Sequence, residues 1–141
     1  MNKRKLKLIK YGISEHRYME LQSFCRQYGE WQKKLQNKDC ALGSPKYDGM
    51  PKSGHNSDST ADLAIMRAVL TEKMEMVDRC IEKAACGMDK FLRLSVCDGV
   101  PLGVLKGKYG LPCERSAFFD MRRYFYYLLN QEMENLEKKL F

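Results

Sequence analysis

Near the end of the chain, the run Cys113-Glu114-Arg115-Ser116 is followed at helical spacing by Phe119 and the pair Arg122-Arg123, with Lys106 and Lys108 shortly before it. These residue types can read nucleic acid. An arginine presents a planar fork that matches guanine O6 and N7, a glutamate accepts from cytosine N4, and a serine hydroxyl or an aromatic ring meets a base edge or a thymine methyl. Cations farther along the same face contact phosphates, which fix register without carrying sequence information. Glu114, Arg115, Ser116 and Phe119 are therefore the expected base-facing residues, Arg122 and Arg123 the phosphate contacts, and Lys106 and Lys108 further DNA-binding cations. Phe119 and Tyr126 stand among these arginines on the polar face of the same segment. A bare ring there is costly unless it contacts a ligand or packs back on preceding helices.

Other chemistries fit the residues less well. No Gly-rich phosphate loop is present, and Ser116 and the cysteines have no histidine nearby in sequence to activate them. The six cysteines (Cys25, Cys40, Cys80, Cys86, Cys97, Cys113) include no C-x-x-C pair, and His16 and His55 are the only imidazoles. A zinc site has no local pair from which to start, so the cysteines read as free thiols. A nuclease built on Asp62, Glu72, Glu75 and Asp78 is the sharpest enzymatic alternative, but these carboxylates fit the outer face of a helix. The expectation is a non-enzyme without cofactor or metal.

Charge points to the same end of the molecule and to its beginning. The net charge is +7. Residues 1–38 carry 10 Lys/Arg against 3 Asp/Glu and residues 101–123 carry 5 against 2, while residues 39–100 carry 8 against 10. Two basic zones flanking a mildly acidic middle raise cation density where a polyanion would be met. At 141 residues, the chain fits one domain with an attached helical arm. No apolar run approaches the roughly 18 residues of a membrane span, and the basic start leads into no signal-peptide core, so the expected setting is cytoplasmic, with no membrane partner.

The elements that must hold these residues are helical. From Ser14 to Lys38 the positions Tyr18, Leu21, Cys25, Tyr28, Gln32 and Leu35 step by three and four, with Phe24 and Trp31 beside them. Ser14 is the expected N-cap, and Gly29 is expected to kink the helix or divide it in two. Residues 39–58 are rich in Gly, Pro, Ser, Asn and Asp and read as a flexible loop. Ser59-Thr60-Ala61-Asp62 then resembles a capping box opening a second long helix, with a stripe of Leu63, Met66, Leu70, Met74, Val77, Ile81 and Ala84 and an end near Gly87. Two such seams are expected to bury each other, as an antiparallel hairpin or in a homodimer.

Residues 88–141 break into shorter pieces. Asp89 to Cys97 is a medium helix and Asp98-Gly99 a turn. Pro101 opens a short helix to Tyr109, Gly110 and Pro112 mark a second turn, and a long helix follows from Glu114. Its apolar face is Phe118, Met121, Phe125, Leu128, Leu129, Met133, Leu136 and Leu140. Medium, short and long helices in that order, with a Gly-containing turn before the last, form the pattern of a helix-turn-helix. The expected fold is thus all-α: a basic tail and helical arm (1–38), a loop (39–58), a long helix (59–87) and a sigma-like helix-turn-helix unit of three helices (88–141).

The segment Leu111-Pro112-Cys113-Glu114-Arg115-Ser116-Ala117 followed by Arg122-Arg123, together with Tyr11-Gly12-Ile13-Ser14 and the Ser59 to Ala85 helix, resembles the RinA-type late transcription regulators of phages of Gram-positive bacteria. These are relatives of the sigma-factor region that reads the upstream promoter element. The resemblance implies sequence-specific binding to double-stranded phage DNA and recruitment of host RNA polymerase in the bacterial cytoplasm. Two other classes fit the same elements. A terminase small subunit also joins a helix-turn-helix to helical arms, and a phage factor that inhibits a host nucleic-acid machine would use the long helices for docking.

Overall fold

The computed structural model describes Leu8, residues 11–36 and residues 55–140, and among these the chain is all-α. Six helices follow in order: α1 (Glu15–Arg26), α2 (Tyr28–Gln36), α3 (His55–Ala85), α4 (Asp89–Val96), α5 (Leu102–Gly107) and α6 (Arg115–Leu140). No helix among the described residues is long and apolar enough to cross a membrane. Lys3, Arg4, Lys5, Lys7 and Lys10 of the basic tail, residues 37–38 at the end of the expected arm, and residues 39–54 of the expected loop lie outside the described residues.

Helix α1 starts where its sequence says it should. Ser14 holds extended backbone (φ −73°, ψ 163°), and its hydroxyl accepts from Arg17 N at 3.1 Å, satisfying one of the amides left free at a helix start. The expected long helix is divided, as the glycine suggested, but the division falls at Gln27, two residues before Gly29. Gln27 stays near helical geometry (φ −83°, ψ −7°), and Trp31 N reaches Gln27 O at 3.0 Å, so the direction changes with little loss of bonding. The break rotates the seam. Trp31 is buried and Gln32 is exposed, the reverse of a single continuous stripe.

The two halves find different partners. Tyr28 meets Asp78, and three residues later Trp31 lies under Lys73, with its Nζ 5.6 Å from the ring centroid, so α2 runs antiparallel to α3. Helix α1 instead lies against α6 and α4. Its Tyr18 stands edge-on to Tyr126 with ring centroids 5.1 Å apart, and its Arg17 reaches Asn130 and Glu137 of α6. The antiparallel hairpin expected of two long seams is therefore α2 on α3.

Helix α3 begins four residues earlier than the capping-box reading placed it, so residues 55–58 are helix rather than loop and Ser59 to Asp62 lie inside the first turns. The last Gly or Pro before it is Gly54. Beyond that breaker, Asn, Ser and Asp are only mildly unfavourable, and extending an existing helix is far easier than starting one. At the other end, Cys86 (φ 49°) and Gly87 (φ 91°) take successive left-handed conformations and turn the chain into α4. Leu70, Met76, Val77, Cys80, Ile81, Ala84 and Ala85 are buried along α3. Met66, expected in that stripe, is exposed together with Ile65 and Val69, while Leu35 of α2 lies along the face of α3 that carries Ala64, Arg67 and Ala68.

Two glycine turns set α4, α5 and α6 against one another. Gly99 and Gly110 both have φ of 70°, where a side chain would be strained. After Gly99, Val100 N returns to Leu94 O at 3.0 Å; after Gly110, Leu111 N returns to Leu105 O at 3.0 Å, so carbonyls orphaned at the ends of α4 and α5 are satisfied. Pro101 stands at the N-cap of α5, in extended backbone, rather than inside its first turn. Buried residues from every helix, including Leu21, Trp31, Val77, Leu92, Leu105 and Phe125, form one core, and Leu8 ahead of α1 joins it.

Candidate nucleic-acid interface

The α5–α6 connection places the start of α6 at the surface. Leu105 and Leu111 are buried on either side of Gly110 and anchor the turn, while Pro112 and Glu114 are exposed. The Glu114 carbonyl accepts from Phe118 N at 3.0 Å, which makes Glu114 the N-cap of α6 and sets its carboxylate beside the positive end of the helix dipole. Residues 108–114 separate the two helices, a longer link than the three or four residues usual in a helix-turn-helix.

Arg115, Phe119 and Arg122 follow at intervals of four and three and share one face of α6. The Arg115 guanidinium carbon lies 5.2 Å from the centroid of the Phe119 ring, and that of Arg122 lies 5.9 Å from the same centroid. Phe119, only half-buried, thus holds two guanidinium groups, one from the preceding turn and one from the following turn. Arg115 and Ser116 are exposed.

The second arginine is less free. Arg122 Nη2 donates to Tyr18 Oη of α1 at 3.4 Å, and its Nε is buried without a hydrogen-bond partner among the described residues. Arg123 pairs with Asp120 at 2.8 Å, an i,i+3 ion pair on the surface. Lys106 and Lys108 are exposed, and Lys108 Nζ lies 5.5 Å from the centroid of the Tyr109 ring. The structure therefore brings Arg115, Phe119 and Arg122 into contact and leaves Glu114, Ser116, Lys106 and Lys108 as exposed neighbours on and before the first turn of α6.

Tyr126 does not belong to this surface. It is 1% exposed, covered by Tyr18 of α1 and by Phe125. Burial, with the nearby Cys25 and Tyr18 adding to it, pushes its phenol far above the ordinary tyrosine range. The sequence placed it on the polar face because its neighbours at −3 and −4 are Arg123 and Arg122; α1 closes over that arc and makes it core.

Of the four carboxylates of the nuclease alternative, Asp78 is engaged by other helices. Asp78 Oδ1 accepts from Tyr28 Oη at 2.8 Å and from Arg93 Nη1 at 2.7 Å, so it ties α2, α3 and α4 together. Asp62, Glu72 and Glu75 are exposed on α3. Among the described residues, no three His, Cys, Asp or Glu side chains converge as metal ligands. Cys25, Cys80 and Cys97 are free, buried thiols, and burial raises the pKa of each, that of Cys97 to about 12. Such thiols are held in the unreactive form at neutral pH.

Sequence reading missed the polar clamp between α1 and α6. Arg17 Nε donates to Asn130 Oδ1 at 2.7 Å, and Nη2 pairs with Glu137 at 3.4 Å. Asn130 Nδ2 in turn donates to Glu134 at 3.2 Å. The available hint was Asn130 interrupting an apolar face between Leu129 and Met133. No protein-family model matches this chain, and no curated protein or solved structure does either.

Proposed function

We propose that this protein is a sequence-specific DNA-binding regulator of phage transcription that inserts the start of α6 into the major groove and acts with host RNA polymerase. The observation that carries the reading is Arg115: the first residue of a 26-residue helix, exposed, with its guanidinium laid on the Phe119 ring. A fork held at a protruding helix start is the arrangement that reads a guanine edge, and the exposed Lys106 and Lys108 supply cations for the flanking phosphates. The promoter-reading role and the polymerase partner rest on the resemblance of Leu111 to Ala117 and Arg122-Arg123 to the RinA-type regulators. Selection of bound duplexes from a random pool by the full chain tests the reading. An enriched motif with salt-dependent affinity is expected, and recovery of no motif at any salt would refute it.

A second reading, a factor that docks on a host protein, is favoured by the exposed Ile65, Met66 and Val69 on α3. Tight one-to-one binding to a host protein by a chain without DNA affinity would select it.

A further inference from the structure

Resting on the DNA-binding reading above, we propose that Phe119 is a positioning residue that fixes the Arg115 guanidinium for a single G·C pair, and that Arg122 serves it as a brace. Four observations converge. The Phe119 ring is half-buried on the outer face of α6 and not part of the core, so its place there is not explained by packing alone. Both guanidinium carbons stand within 6 Å of its centroid, at 5.2 and 5.9 Å. Arg122 is held at its other end by Tyr18 of α1, through the 3.4 Å bond from Nη2. Its Nε faces no acceptor among the described residues, so the ring supplies the negative surface that this part of the guanidinium meets.

The chemistry follows from the chain of contacts. An exposed arginine samples many rotamers, and freezing them on binding opposes recognition. A guanidinium already stacked on a ring loses less, and its N–H edge stays in the plane of the fork, free to donate to guanine O6 and N7 together. Arg122 stacked on the same ring, and bonded to a tyrosine of another helix, keeps that ring from turning away. Phe119 then determines specificity without touching the base pair that it helps to read.

The test uses the full chain and the duplex enriched from a random pool, with each G·C pair replaced in turn by A·T. Arg115→Ala is expected to lose its preference at one pair by roughly 5- to 150-fold, the range of one bidentate contact. Phe119→Leu should reduce the preference at that same pair by roughly 2- to 5-fold, the range of an exposed cation–π contact, leave the other pairs unchanged and leave the salt slope unchanged. Phe119→Tyr, which keeps the ring, should retain the preference. Should Phe119→Leu disturb the helix, as judged by circular dichroism, Phe119→Met supplies the second arm. It keeps apolar bulk and helix propensity, removes the ring, and should weaken the preference at the same pair with the same salt slope. Undiminished preference at that pair in Phe119→Leu, or loss spread evenly over all pairs, would overturn the positioning role while leaving DNA binding standing. A pool that yields no enriched duplex would overturn the DNA-binding reading and this inference together.

Discussion

The Cys80 thiol of α3 donates to Glu132 Oε2 of α6 at 3.0 Å, while Arg79 Nη2 bonds the other oxygen of the same carboxylate at 2.7 Å. Burial alone would raise the Glu132 pKa, but these two donors outweigh it and hold the carboxyl below the usual glutamate range. The thiol moves the opposite way, pushed up by burial and by the carboxylate it faces. A carboxyl whose folded pKa is depressed adds stability above its unfolded pKa and loses it as pH falls through the folded value. Glu132→Gln should therefore lower stability at pH 7 by about 1 to 2 kcal/mol and flatten the acid limb of stability against pH below the usual glutamate range. Urea melts from pH 7 to pH 3 measure both, and an unchanged acid limb would show that the pair adds nothing.

Tyr28 offers a signal at the alkaline end. Burial, reinforced by its hydrogen bond to Asp78, raises its phenol to about 12. A group whose folded pKa lies above its unfolded value adds stability below the unfolded pKa, and that stability disappears as pH rises through the folded one, here between about 10 and 12. Phenolate absorbance should show a tyrosine titrating near 12, before the still later Tyr126, and that step should be absent from Tyr28→Phe. The same variant should cost about 1 kcal/mol at pH 7, since Asp78 keeps Arg93.

Two valines on α3 mark a covered and an uncovered position of the helix. Val77 is fully buried, and Val69, eight residues earlier, is 44% exposed. Val77→Ala should cost about 2 kcal/mol, and Val69→Ala should stay within about 0.5 kcal/mol. Similar costs for both, in a preparation shown to be monomeric, would mean that Val69 is covered in solution.

Glycines at Gly103 and Gly110 should respond with opposite signs. Gly110 has φ of 70°, so alanine there should cost about 1 to 2 kcal/mol. Gly103 lies inside α5 and a methyl group would meet nothing within 4 Å, so alanine should stabilise by about 0.5 to 1 kcal/mol. Thermal melts of both variants decide it.

What was legible in the sequence was local. Ser14 announces α1, the left-handed glycines Gly99 and Gly110 mark both turns, and the three-and-four spacing of Phe118, Met121, Phe125 and Leu129 gives the buried face of α6. Each of these is decided by neighbours within a few residues. The helix break at Gln27 was not legible to the residue, because the deviation there is small and Gly29 is the stronger local signal. The burial of Tyr126, the exposure of Met66 and the bonds Arg17–Asn130 and Tyr28–Asp78 depend on which helix lies across the way, and the paired residues stand 50 or more positions apart. At the candidate interface, the shared face of Arg115, Phe119 and Arg122 on α6 was readable from their spacing. That Arg122 would be engaged by Tyr18 and stacked on Phe119 required the position of α1.

Helix α6 also has a mechanical aspect. Arg115 stands at its first residue and Glu137, which Arg17 holds, lies 22 residues later, a rise of about 33 Å along one rod. A tilt of one degree about the Glu137 end displaces the Arg115 backbone by about 0.6 Å, and a positioned contact tolerates roughly 0.5 Å. Phe118, Met121, Phe125 and Leu129, buried along the rod, hold it against such a tilt, and the Arg17 clamp adds a stop at the far end. The bearing of the first turn is thus a property of the whole rod and not of the short link that precedes it.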